Sequence, residues 1–207
     1  MRGSLIVLGG PDGSGKTTLA LLLSRYLSMK GLRVKIVWIR GTHTLSYILM
    51  VFLRRFKAFN EKGLHYYSFN VPPKLKGFWL IVELVSILPL IVLYYYIYRL
   101  VYDAIISERG LLDFAVWVLT GVKPKLTKTV TRLFLKVSIA WILHYETIYI
   151  RADKEKLFER KRNEAILINT MYPIYEILAK ELGLPTIDTT AISPAEAFYS
   201  ALQVFRI

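Results

Sequence analysis

Cysteine is absent from the 207 residues. That excludes disulfides and thiolate metal sites and suits a reducing interior, so a cytoplasmic location is expected. Histidine is scarce, and His43, His65 and His144 are scattered without metal-ligand spacing, which argues against a zinc site. Acidic side chains are few, 15 against 28 Lys and Arg, leaving a formal net charge of +13. Such a surface attracts phosphates, nucleotides, nucleic acid or anionic lipid. The positive charge is dispersed and no nucleic-acid motif accompanies it, so no specific nucleic-acid partner is expected. Internal repeats and low-complexity linkers are also missing, and the length suits a single domain over residues 1–207. The opening "MRGSLIVLGG" has too short an apolar run for a secretory signal and is expected to belong to the fold.

Apolar residues, by contrast, are abundant at 54%. Residues 4–9, "SLIVLG", read as a buried strand, and "KTTLALLLSRYLSMKG" reads as a helix that Gly31 ends. A second strand in "RVKIVWIRG" completes a βαβ unit, whose crossover implies a parallel sheet. "AIISERG", "ETIYIRAD" and "LPTIDTT" supply three more short strands, making five.

Between the first strand and its helix, Gly10, Gly13, Gly15, Lys16 and Thr17 fit G-x-x-x-x-G-K-[ST] in the strand, loop, helix context that motif requires. Glycines let successive backbone N–H groups turn inward around phosphate oxygens, and the helix adds its positive end. Gly10, Asp12, Gly13, Ser14, Gly15, Lys16, Thr17 and Thr18 are therefore the expected nucleotide cradle, with ATP as the nucleotide. Lys16 neutralises charge between the outer phosphates, and the Thr17 hydroxyl is placed for Mg²⁺.

The loop "GPDGSGKTT" resembles that of the thymidylate kinases, and the resemblance continues along the chain. "IRGTHT" occupies the place of their Arg-Glu-Pro-Gly-Gly-Thr segment and keeps Arg40 as a substrate-contacting residue. "IISERGLLDFAVW" looks like their Asp-Arg-Tyr strand end, with Glu108 and Arg109 at the acid and arginine positions. "RADKEKLFERKRNE" resembles their lid, placing it over residues 153–170, and "MYPIYEILAKELGLPTIDTT" their last helix and strand. The resemblance implies a three-layer α/β/α P-loop fold with strand order 2-3-1-4-5, ATP and Mg²⁺, and transfer to a nucleoside monophosphate such as dTMP. Glu108 would join Thr17 at the metal, Arg109 would bridge donor and acceptor phosphates, and Arg160 or Arg162, or Lys161 between them, would close over the transferring group. A structural ion pair at 108–109 and a solvated basic face at 160–162 are the plainer readings. Asp12 would either contact the acceptor or hold the loop by a local backbone bond.

The chain departs from thymidylate kinases where they read their base with an Arg, since "FWLIVELVSILPLIVLYYYIY" has no Arg and no Gln. Deoxynucleoside kinases share the Glu-Arg strand end but need a carboxylate base at the end of the second strand, and "RGTHT" offers none; Asp113 is the candidate substitute. A hydrophobic or lipid-linked acceptor is the other alternative, with the apolar segment 45–102 forming the pocket or docking on a membrane. Residues 78–98 approach a membrane span in length, but Glu83 and Pro89 interrupt them, so two packed helices are expected instead. Thymidylate kinases pair through helices of this kind, which implies a homodimer.

Overall fold

Short apolar runs that end in polar residues or glycine become strands, and one sheet gathers all five. The computed structural model describes residues 3–39, 44–59, 70–145 and 147–205. β1 (Ser4–Gly9), β2 (Val34–Trp38), β3 (Ala104–Arg109), β4 (Ile148–Arg151) and β5 (Thr186–Asp188) lie all parallel in the order β2-β3-β1-β4-β5. This is the expected fold class and strand order. β1 pairs with β3 from Ser4↔Ala104 to Val7↔Ser107, and with β4 at Leu8↔Ile148 and Gly9↔Tyr149. The chain leaving β1 passes beyond β3 to reach β2, while the chain leaving β3 returns across β1 to β4. The crevice at the carboxyl ends of β1 and β3 is thus the switch point, where open α/β sheets bind ligands.

The helices are α1 (Lys16–Met29), α2 (Leu45–Leu53), α3 (Lys76–Ile91), α4 (Tyr98–Val101), α5 (Leu111–Val122), α6 (Thr129–His144), α7 (Lys154–Arg160), α8 (Ala165–Glu181) and α9 (Pro194–Phe205). Strand side chains alternate between two faces. Ile6, Leu8, Ile106 and Ile150 meet Leu19 and Leu23 of α1 and Ala201 of α9 on one face. Val7 and Tyr149 meet α2, α3, α5, α6 and α8 on the other.

The apolar segment departs from expectation. It is one helical run, Lys76–Val101, in which a π-helical turn at Val92–Ile97 joins α3 to α4. Pro89 lies inside α3 without ending it. Proline withdraws only its own N–H and crowds the carbonyl four residues back, and core packing of Ile87, Ile91 and Tyr95 holds the helix through it. By length and composition the run is able to cross a membrane, and 33% of its most apolar window is buried.

Glu83 ties α3 to α2. Ser46 Oγ donates to its Oε2 at 2.8 Å, and Trp79 Nε1 to its Oε1 at 2.9 Å. Burial pushes the Glu83 carboxyl up to about 7, only partly opposed by these two hydrogen bonds. The folded state therefore holds this proton more tightly than the unfolded chain, whose reference value is 4.5. The stability so conferred is complete below that reference value and is lost as pH rises through about 7. Glu83→Gln keeps an acceptor for Trp79 and a donor for Ser46. Its melting temperature should gain on wild type between about pH 5 and about pH 8, by the equivalent of roughly 2–3 kcal/mol. A pH-independent difference in thermal melts would rule out ionisation of this buried group.

Candidate active site

The loop after β1 is shaped by close approach. At Gly10 an added Cβ would lie 2.2 Å from the Ile150 carbonyl oxygen, so only glycine lets the loop cross the end of β4. Gly15, with φ of 90°, turns the chain into α1. Lys16 is buried, and its ammonium donates to the carbonyls of Gly10 at 2.6 Å and Pro11 at 2.8 Å. Burial lowers its pKa, and Asp113 and Asp12 partly restore it. Arg160, the last residue of α7, arches over the loop and donates to the carbonyls of Gly13 at 2.9 Å and Thr189 at 3.1 Å. Ser14 Oγ is buried with no hydrogen-bond partner among the described residues. A buried, unmatched hydroxyl inside a glycine-built cradle suits a phosphate oxygen.

The end of β3 meets this loop as the register of β1 and β3 requires. Thr17 Oγ1 donates to Glu108 Oε1 at 2.5 Å, so the two expected metal ligands are in contact. They offer oxygen donors at the rim of the loop, the donor type Mg²⁺ takes. Arg109 donates to Asp12 Oδ1 at 2.5 Å, while its Nε is buried without a partner among the described residues. Burial raises the Asp12 carboxyl, but Lys16 and Arg109 outweigh it and hold the group below its usual range. For Arg109 burial works the other way, and the carboxylates of Asp12 and Asp113 more than compensate.

Asp113, in the first turn of α5, is buried at the centre of these contacts. Its Oδ1 accepts from the Gly10 N–H at 3.3 Å and the Tyr175 hydroxyl at 2.9 Å, and its Oδ2 from the Gly110 N–H at 3.2 Å. Burial raises its pKa against the pull of Lys16 and Arg109. Both oxygens are engaged in holding the phosphate loop, α5 and α8 together, and Asp113 also lines an apolar-walled cleft.

Two clefts adjoin here. One, of about 500 Å³ and partly open to solvent, follows the phosphate loop, Glu108, Arg160 and Lys161. The other, narrower at about 50 Å³, has apolar walls from Phe114 and Trp117 of α5 and Leu167, Ile168 and Met171 of α8. Asp12, Arg109 and Glu164 line both, so the clefts share a charged boundary.

No protein-family model matches the sequence, and no curated protein does. Solved structures do match. Thymidylate kinase from Ehrlichia chaffeensis is 17% identical with a TM-score of 0.57, over 100% of both chains. Thymidylate kinase from Candida albicans is 18% identical with a TM-score of 0.62, over 99% of this chain and 92% of its own. Deoxyadenosine kinase from M. mycoides, with bound dCTP, is 13% identical with a TM-score of 0.55, over 98% of both chains. The fold is that of the thymidylate kinases.

Within this thymidylate kinase fold, the expected site residues Asp12, Gly13, Gly15, Lys16, Thr17, Thr18, Glu108, Arg109 and Arg160 line the cleft over the phosphate loop. Arg162 does not join them. Lys161, at φ −140° and ψ 59°, ends α7, and Arg162 begins a separate 3-10 turn, exposed and lining neither cleft. The two arginines of the lid-like segment thus do not share one helix. Arg40 and His43 lie outside the described residues. Among the described residues, the lining of the apolar cleft includes none of 45–59 or 70–102, so these parts of the apolar segment do not form this pocket. Glu164 was not singled out from sequence; a glutamate after "RKRN" reads as surface, yet its Oε2 is buried without a partner among the described residues. Tyr175 and Thr189, which brace Asp113 and the Ser14 carbonyl, were likewise silent.

Proposed function

We propose that the chain transfers the γ-phosphoryl group of ATP to a nucleoside monophosphate, with dTMP the first acceptor to test. One observation carries this reading: Lys16, the Thr17–Glu108 pair, the Asp12–Arg109 pair and Arg160 converge on a cleft that opens at Asp12 and Arg109 into a second, apolar-walled cleft. The phosphate loop and Lys16 would hold the donor, and Thr17 and Glu108 would hold Mg²⁺, which neutralises charge on the phosphate oxygens. Arg109 sits at the boundary where the two phosphates would meet, and Arg160 reaches over the loop from α7. Catalysis would then be positioning and charge stabilisation, with no covalent intermediate. Phe114 and Trp117, one helical turn apart, offer flat walls against which a base can stack.

A hydrophobic or lipid-linked acceptor is the second reading, favoured by the apolar walls and by the lack of any Arg, Asn or Gln besides Arg109 among the described lining residues. The test is ADP release from ATP and Mg²⁺ with dTMP, other monophosphates, deoxynucleosides and detergent-dispersed polyprenyl phosphates. Stimulation by dTMP or another monophosphate upholds the first reading, and response to the lipids alone replaces it with the second. A monophosphate is already anionic and needs no base, so Glu164→Gln should keep turnover within about tenfold. A loss nearer ~10³-fold would mark Glu164 as a base and the acceptor as a hydroxyl.

A further inference from the structure

The outer surface of α2 and α3 takes no part in that chemistry, and its character is unusual. Ile48, Phe52 and Phe56 in and after α2, and Phe78, Val85 and Tyr96 along the Lys76–Val101 run, are each more than half exposed. Phe78, Ile81, Val85, Leu88 and Val92 recur at helical spacing on one side, while Leu80, Ile87, Ile91 and Tyr95 face the core. At 1.5 Å per residue the strip from Phe78 to Val92 is about 21 Å long. Exposed strips of this extent mark contact surfaces.

The charge around the strip has one sign. Described residues 44–59 and 70–102 carry Arg54, Arg55, Lys57, Lys74, Lys76 and Arg99, against a single acid, Glu83. Glu83 is buried and engaged by Ser46 and Trp79. α6, packed beside α3, adds exposed Arg132 and Lys136 and no acid. A second copy of the chain would place this patch against itself. Cations would then face cations, with no exposed acid among the described residues of these segments to answer them. An anionic lipid surface satisfies both the apolar strip and its cationic surround.

We propose that the α2–α3 face docks the protein on anionic membranes, with the Lys76–Val101 run lying in the interface and not crossing it. Crossing would strip Leu80, Ile87 and Tyr95 from the core, break the Glu83 network and expose Glu83 to hydrocarbon. Docking is independent of the acceptor's identity.

Flotation of the purified full chain with vesicles tests this. It should rise with phosphatidylcholine vesicles containing about 30% phosphatidylglycerol, remain behind with phosphatidylcholine alone, and be released as salt rises from about 0.1 to about 0.5 M. Ile81→Glu with Val85→Glu should lower partitioning at least about tenfold. Arg54→Gln with Arg55→Gln should lower it about fivefold per cation removed. All four positions are exposed, so melting temperatures by circular dichroism should be unchanged. Failure to float with anionic vesicles overturns the proposal; sedimentation then shows whether the wild type is a dimer that Val85→Glu dissociates, which would assign the face to a second copy. Flotation unaffected by the glutamates overturns it equally, as does retention after alkaline carbonate extraction, which would make the run a span.

Discussion

Lys16→Ala is expected to lower kcat by about 10³-fold or more, equivalent to about 4 kcal/mol of transition-state stabilisation. Lys16 is the buried cation of the phosphate loop, and its ammonium is held at the loop's mouth by two carbonyls, those of Gly10 and Pro11. Lys16 itself lines the solvent-connected cleft, so water can follow into the space its side chain leaves. Other loop contacts, among them Gly10 to Asp113, Ser14 to Thr189 and Gly13 to Arg160, do not involve the lysine. The variant should therefore fold, with a stability loss on the order of 1 kcal/mol. Rates of ADP release, read beside thermal melts, check both halves. Turnover retained in a folded variant would remove the mechanism.

Arg109→Ala should cut kcat/KM for the acceptor about 10²- to 10³-fold, with the larger part in acceptor KM and little change in the KM for ATP. The reason is position. Arg109 lines both clefts, one terminal nitrogen holds Asp12, and Nε is buried and unmatched among the described residues. Its removal also releases Asp12, which would then depend on Lys16 to stay ionised. Arg109→Lys is the informative companion: it restores charge without the planar fork, so recovery should be partial. Wild-type acceptor kinetics in Arg109→Ala would exclude a bridging role, and an equal loss for ATP would place Arg109 at the donor alone.

Legibility from sequence followed chemical necessity. The placement of Gly10, Gly15 and Lys16 in a turn between strand and helix was readable because that motif demands such a context, and the strands because runs such as "SLIVLG" have only a buried place to go. Glu108 and Arg109 were readable because a strand end beside the loop leaves little choice of position. The apolar cleft was not readable. Its walls come from α5 and α8, some fifty residues apart, and Phe114 or Met171 looks in sequence like any core residue. The choice between Arg160 and Arg162 turned on a backbone break at Lys161 that no glycine or proline announces. Pro89, a strong local signal, misled, because core packing by Ile87, Ile91 and Tyr95 held the helix together through it.

One buried carboxylate joins the two halves of the site. Asp113 binds Gly10 of the phosphate loop and Tyr175 of α8, and α8 also supplies a wall of the apolar cleft. Whatever settles against that wall acts on the same hydrogen-bonded group that fixes the loop. If the two clefts take donor and acceptor as proposed, their sites would be linked functions, and the linkage would be reciprocal. The factor by which one bound ligand changes the other's affinity must be returned unaltered in the opposite direction.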